Sequence, residues 1–247
     1  MKTSERERQI IALLSERSFI SVQELSELLY TSPSSIRRDL SRLEAVGIVK
    51  RNYGGVVAVA NNAGSAPISI RSEVHKTAKR IIAKKASVLL GDGMTVLLDD
   101  STTAAAMVEF LAEHRDISVF TNNLETAADA TAHGLHTYLL GGELPQCSAT
   151  VTVGRFALDM LRAIHADLCF FSATALSAEG EIFDSTEQHD LLRREMLFRS
   201  ERRVFLCDGS KFLRTSMYRV SALSEIEYLV SDQSVPEEIR RGNVKIL

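Results

Sequence analysis

The chain has 247 residues, 45% hydrophobic and 25% charged, with a net charge of −3 from 29 basic and 32 acidic side chains. That composition fits one or two globular domains with a sizeable core. It holds no run of about 18 apolar residues that would span a membrane, and the charged start Met1-Lys2-Thr3-Ser4-Glu5-Arg6 lacks the apolar stretch of a signal peptide. Cys147, Cys169 and Cys207 form no CxxC pair, which excludes a cysteine zinc site and a disulfide scaffold and predicts a cytoplasmic location.

Between Ser4 and Arg17, the apolar positions Ile10, Ile11, Leu13 and Leu14 predict a first helix. Ser21-Val22-Gln23-Glu24 has the capping-box pattern, a hydroxyl for the third helical N–H and a Glu that reaches back. The helix it opens ends near Leu29 and is expected to bury Leu25 and Leu28. Ser32-Pro33 places a cap before a first-turn proline. Ile36, Leu40, Leu43 and Val46 then stripe a third helix that Gly47 closes.

Two short helices across Tyr30-Thr31 read as a helix-turn-helix. The second presents Ser32, Pro33, Ser34, Ser35, Arg37, Arg38 and Arg42 to the major groove, where an arginine can pair with guanine in bidentate fashion. Asp39 is expected to orient a neighbouring arginine; it is not expected to read a base. Ile48 to Val56 reads as strand, tight turn and strand, a β-wing that brings Lys50, Arg51 and Tyr53 to the phosphate backbone. Residues 1–58 hold nine basic and seven acidic side chains, a net +2, while the rest holds 20 and 25, a net −5. A basic head on an acidic body suits nucleic-acid binding by the head alone.

The stretch SPSSIRRDL from Ser32 to Leu40, then Leu43-Glu44, Gly47 and Lys50-Arg51-Asn52-Tyr53-Gly54-Gly55, resembles the signature of the DeoR family of bacterial transcriptional regulators. A histidine usual in that family is Tyr53 here. The resemblance implies a winged helix-turn-helix over residues 1–58. The small, polar, Gly- and Pro-punctuated stretch that follows reads as a linker at 59–67, leaving an effector-binding and oligomerisation domain at 68–247.

In the second region helices are predicted over Lys76–Leu90, Ser101–Leu111, Leu124–His133, Arg155–His165 and Glu187–Phe198. They alternate with strands at Thr95–Asp99, Ile117–Thr121, Thr137–Leu140, Leu168–Phe171, Val204–Cys207, Tyr228–Val230 and Val244–Leu247. This rhythm predicts an α/β fold with a largely parallel sheet covered on both faces. Ligands in such sheets sit beyond the carboxyl ends of the strands. Those ends carry Asp99, Ser101, Thr102 and Thr103, then Thr121 and Asn122, then Gly141 and Gly142, and then Asp208 with Lys211. Hydroxyls at a helix start with a lysine suit a phosphate, while carboxylates and amides suit sugar hydroxyls. Each cluster also has a plainer reading, Ser101 as a helix cap above all. The six histidines show no metal-ligand spacing, and neither a metal nor a cofactor is expected.

The family resemblance extends through Asp99, Thr102-Thr103, Thr121-Asn122, Gly141-Gly142 and Asp208 with Ser210-Lys211-Phe212. It implies a domain similar to the ribose-5-phosphate isomerase and CoA-transferase group of folds. It also implies a phosphorylated sugar or polyol effector that alters affinity for a double-stranded DNA operator. The chain departs from the pattern at Ser101, where a loop glycine is usual, and at Ser172 to Ala175. The expected function is therefore a sequence-specific regulator, a repressor of a sugar or polyol operon, acting as a homo-oligomer on paired half-sites. The alternative is a phosphosugar isomerase-like enzyme with an accessory winged helix. It is disfavoured because Asp99, Asp100, Asp184, Glu187 and Lys211 form no spaced catalytic constellation in the sequence.

Overall fold

The computed structural model describes residues 5–16, 19–45, 49–52, 54–58, 71–145, 148–185, 187–239 and 243–247. The chain divides into two compact units, residues 1–76 and 77–247. The expected linker at 59–67, and with it Val46, Gly47, Ile48, Tyr53 and Cys147, lies outside the described residues.

In the first unit, helices α1 (Glu5–Glu16), α2 (Val22–Leu28) and α3 (Pro33–Ala45) pack around Ile10, Ile11, Leu14, Leu25, Ile36, Leu40 and Leu43. The capping box is present. The Ser21 hydroxyl accepts from the Glu24 N–H at 3.1 Å, and the Ser21 N–H donates to the Glu24 carboxylate at 2.9 Å. Strand β1 (Ile20–Ser21) was not foreseen; it adds antiparallel to the wing of β2 (Val49–Asn52) and β3 (Gly55–Ala58). Gly54, at φ +80°, makes the wing turn that a side chain would strain. Leu28, expected in the core, is 44% exposed, because α2 ends after seven residues and turns its last apolar residue outward.

The second unit is built on a seven-stranded, wholly parallel sheet. Its strands are β4 (Thr95–Leu98), β5 (Ser118–Thr121), β6 (His136–Leu139), β7 (Ala166–Phe171), β10 (Ser200–Leu206), β12 (Tyr228–Val230) and β13 (Lys245–Ile246). They lie in the order 13-12-10-7-4-5-6. Residues alternate between two cores, with Leu97, Cys169, Phe171 and Phe205 on one face and Val96, Leu98, Phe170 and Leu206 on the other. Helix α4 (Lys76–Ala86) covers the second face, together with α5 (Thr102–Ala105) and α6 (Val108–Leu111), two short pieces where one helix was expected. Helix α7 (Leu124–Ala132) contributes Ala130 to the same face. Helices α8 (Arg155–Arg162) and α9 (Glu187–Phe198) cover the first face.

A three-stranded antiparallel sheet of β8 (Ala175–Leu176), β9 (Glu181–Asp184) and β11 (Tyr218–Ala222) was not expected from the sequence. Among the described residues no helix is long and apolar enough to cross a membrane.

Candidate functional site

On α3, Ser32, Pro33, Ser34, Arg37, Arg38 and Arg42 are exposed and Ser35 is half-buried. The arginines differ in what they touch. Asp39 is fully buried and takes the Arg6 guanidinium at 2.5 Å and that of Arg42 at 3.5 Å, and Arg42 also reaches Glu7 at 3.4 Å. Arg42 is thus tied between α1 and α3. Arg37 and Arg38 make no ion pair among the described residues. Asp39 orients an arginine as expected, but those it holds are Arg6 and Arg42. On the wing, Arg51 donates to the Ser41 hydroxyl and its N–H to Glu44, both at 3.0 Å, which fastens the wing to α3. Lys50 is exposed.

In the second unit the chain runs outward through β4, β5 and β6, then returns to lay β7 on the other side of β4. The carboxyl ends of β4 and β7 are therefore the switch point at which such sheets take ligands. Asp99 follows β4 and Ser172 follows β7. The Ser172 N–H donates to the Asp99 carboxylate at 3.1 Å, and the Asp99 N–H donates to the Phe170 carbonyl at 3.2 Å.

Arg193 of α9 enters from the sheet face. Its guanidinium meets Asp99 at 2.9 Å, Asp100 at 3.1 Å and Asp184, at the end of β9, at 2.5 Å, and all four side chains are buried. Asp184 also accepts from the Thr174 hydroxyl at 2.8 Å. Burial lifts the Asp99 carboxyl above its ordinary value despite Arg193. Burial pushes Asp184 the same way, but Arg193, the Ser185 N–H and the Thr174 hydroxyl outweigh it and hold that carboxyl low. Lys211 donates to the Ser172 hydroxyl at 2.8 Å and pairs with Asp208 at 3.2 Å. Burial lowers the Lys211 affinity for its proton, and Asp208 more than restores it. Four carboxylates thus share two cations, in one network from Lys211 through Ser172 and Asp99 to Arg193.

The remaining expected residues divide by what their polar atoms do. Ser101 caps α5, accepting from the Ala104 N–H at 3.1 Å, and donates to Asp99 at 2.5 Å. The plainer reading of Ser101 is therefore present. Thr102 and Thr103 are buried. The Thr121 hydroxyl accepts from the Asn123 N–H at 3.2 Å. Asn122 donates to the Thr152 carbonyl at 3.0 Å, and its buried side-chain oxygen has no hydrogen-bond partner among the described residues. A Cβ on Gly142 would lie 2.4 Å from the Val153 carbonyl oxygen, so the chain's own backbone requires the glycine there. Gly141 is not so confined: the nearest atom to its Cβ position is the Met160 sulfur at 3.6 Å.

Sequence reading missed Arg193, Thr174 and the part played by Asp184. The signal for Arg193 was its place three and four residues before Met196 and Leu197, within the buried stripe of α9. Cys169 in β7 and Cys207, just past the end of β10, are buried, and that burial raises their thiol pKa values. A groove of about 350 Å³ lies at the opposite, amino-terminal ends of β10, β12 and β13, beside Arg202, Tyr228 and Lys245, and none of the expected residues borders it. Among the described residues no group of three His, Cys, Asp or Glu side chains is placed to hold a metal.

Residues 6–62 match the family model described as a DeoR-like helix-turn-helix domain, and residues 74–233 match that of the DeoR C terminal sensor domain. The chain is 31% identical to the HTH-type transcriptional regulator GolR of Listeria innocua, covering 94% of this chain and 91% of that protein. It is 30% identical to the L-fucose operon activator of Haemophilus influenzae (96% and 94% covered) and 27% identical to the glycerol-3-phosphate regulon repressor of Escherichia coli (97% and 94%). Among solved structures it is similar to the translation initiation factor eIF-2B of Pyrococcus horikoshii OT3. The TM-score is 0.50 at 11% identity, over 94% of this chain and 90% of that one, a likeness of fold alone. A ribose-5-phosphate isomerase solved with phospho-erythronic acid gives a TM-score of 0.42 at 17% identity, over 56% and 54%.

Proposed function

The chain belongs to the DeoR family of transcriptional regulators, and from that premise we propose that it is a repressor of a sugar or polyol operon whose grip on DNA is set by a phosphorylated sugar or polyol. It is a sequence-specific DNA-binding regulator and not an enzyme. The finer reading assigns Arg37 and Arg38, with Ser32 to Ser35, to the major groove and Lys50, Arg51 and Tyr53 to the backbone. The observation that carries it is the contrast along α3: Arg42 is neutralised by Asp39 and Glu7, whereas Arg37 and Arg38 are exposed without an ion pair among the described residues. One such helix makes few base contacts, which favours a homo-oligomer on paired half-sites.

The effector is assigned to the strand ends around Asp99, Ser101, Thr102, Thr103, Thr121, Asn122, Gly141, Gly142 and Lys211. Lys211 and Arg193 already have carboxylate partners, so a phosphate ester has to draw a cation from them. That exchange supplies the differential contact between two states that any effector needs. Named relatives include a repressor of a glycerol-3-phosphate regulon and an activator of an L-fucose operon. The test is selection of duplexes from a random pool at near-physiological salt, followed by titration of the selected complex with sugar and polyol phosphates. A repeated motif released by one of them supports the reading; a motif that none of them releases rejects the effector assignment, and no motif at all rejects the repressor reading.

A further inference from the structure

Tyr30, in the turn between α2 and α3, has φ +47° and is 97% exposed. The left-handed region is costly for an aromatic residue, and strain of that kind gathers at functional positions. The turn holds it there: the Thr31 N–H donates to the Ser26 carbonyl at 3.0 Å, the Ser26 hydroxyl to the Thr31 carbonyl at 2.5 Å, and the Thr31 hydroxyl to the Leu29 carbonyl at 3.0 Å. The exposed ring contributes almost nothing to the core, yet the Tyr30 backbone is held two residues before Ser32, at the end of α3 that carries the exposed Ser34 and Arg37. Sugar and phosphate oxygens border any groove that a helix enters, and tyrosine hydroxyls are among the groups that contact them.

We propose that Tyr30 is a DNA-backbone contact whose phenol hydroxyl donates to a phosphate beside the groove that α3 enters. A neutral donor replaces no counterion, so its contribution is independent of base sequence and of salt.

The test compares full-length Tyr30→Phe and Tyr30→Gly with the unchanged protein. Two probes are used, the duplex selected from a random pool by the full-length protein and a scrambled duplex of equal length. Tyr30→Phe keeps the ring and the backbone demand and is expected to weaken both complexes about five- to tenfold, with the slope of log affinity against log salt unchanged. Tyr30→Gly is expected to weaken them at least as much while melting at a higher temperature, because the strain is gone. Unchanged affinity in Tyr30→Phe overturns the proposal. So does a loss confined to the selected duplex, which would make Tyr30 a reader of bases.

Discussion

The Arg193 guanidinium lies 2.9 Å from the Asp99 carboxylate, 94 residues earlier in the chain, and joins the end of β4 to α9. Asp100 and Asp184 complete the set, so one buried cation holds three carboxylates from two separate parts of the chain.

Removing that cation leaves three buried carboxylates with no guanidinium among them. Arg193→Ala is expected to cost the second unit about 3–5 kcal/mol, read as a lower urea midpoint and a melting temperature lower by roughly 10 °C. Arg193→Lys should fall between, since an ammonium lacks the planar fork that serves three partners.

Asp184 makes part of the acid sensitivity. Its folded pKa is depressed below the ordinary 3.8, so the stability it contributes is present above that value and is lost as pH falls through the folded one. Asp99 is shifted upward and works in the opposite direction, its penalty growing as pH rises from 3.8. Asp184→Asn should therefore be the less stable protein at pH 7, yet lose less than the unchanged chain between about pH 4 and strongly acid conditions. Urea midpoints across that range decide it, and parallel curves would remove Asp184 from the account.

Two arginines of the first unit should separate binding from stability. Arg37→Ala is expected to weaken operator binding, with thermal stability within about 0.5 kcal/mol of the parent. Arg6→Ala leaves the buried Asp39 with only the longer 3.5 Å contact to Arg42 and should cost about 1–3 kcal/mol of stability in that unit. Paired anisotropy titrations and thermal melts on both variants measure the split.

The adjacent glycines at the end of β6 should respond differently. Gly142→Ala presses on the Val153 carbonyl and the backbone pairing of Glu143 with Val153, at about 1–3 kcal/mol. Gly141→Ala meets only ordinary contact with Met160 and should stay within about 1 kcal/mol. Melting curves of the two single variants suffice.

Much of this architecture is legible in the sequence because its signals are local. The Ser21–Glu24 box, the Pro33 helix start and the short apolar runs of all seven parallel strands are written in neighbouring residues. The antiparallel sheet was missed because β8 has two residues, and β11 pairs with β9 across more than 30 positions without clear alternation. Asp99 was found, and its partner was not. Periodicity marks Arg193 as a member of a buried stripe but says nothing of which carboxylates wait there. Ser101 shows the same limit, since a cap and a ligand contact call for the same hydroxyl at the same place.

The return of β7 to the side of β4 also imposes an order on synthesis. Ribosomes add about 5–20 residues per second, so Asp99 and Asp100 emerge roughly 5–20 s before Arg193 can neutralise them. The three strands β4, β5 and β6 can pair in that interval, but the middle of the sheet waits for β7 and the acidic end for α9. The first unit, whose contacts are shorter in range, meets no such delay. A nascent chain thus carries a finished DNA-binding head while its sensor is still half-built, and after α9 has neutralised the acidic end the strands β10, β12 and β13 still have to join the sheet.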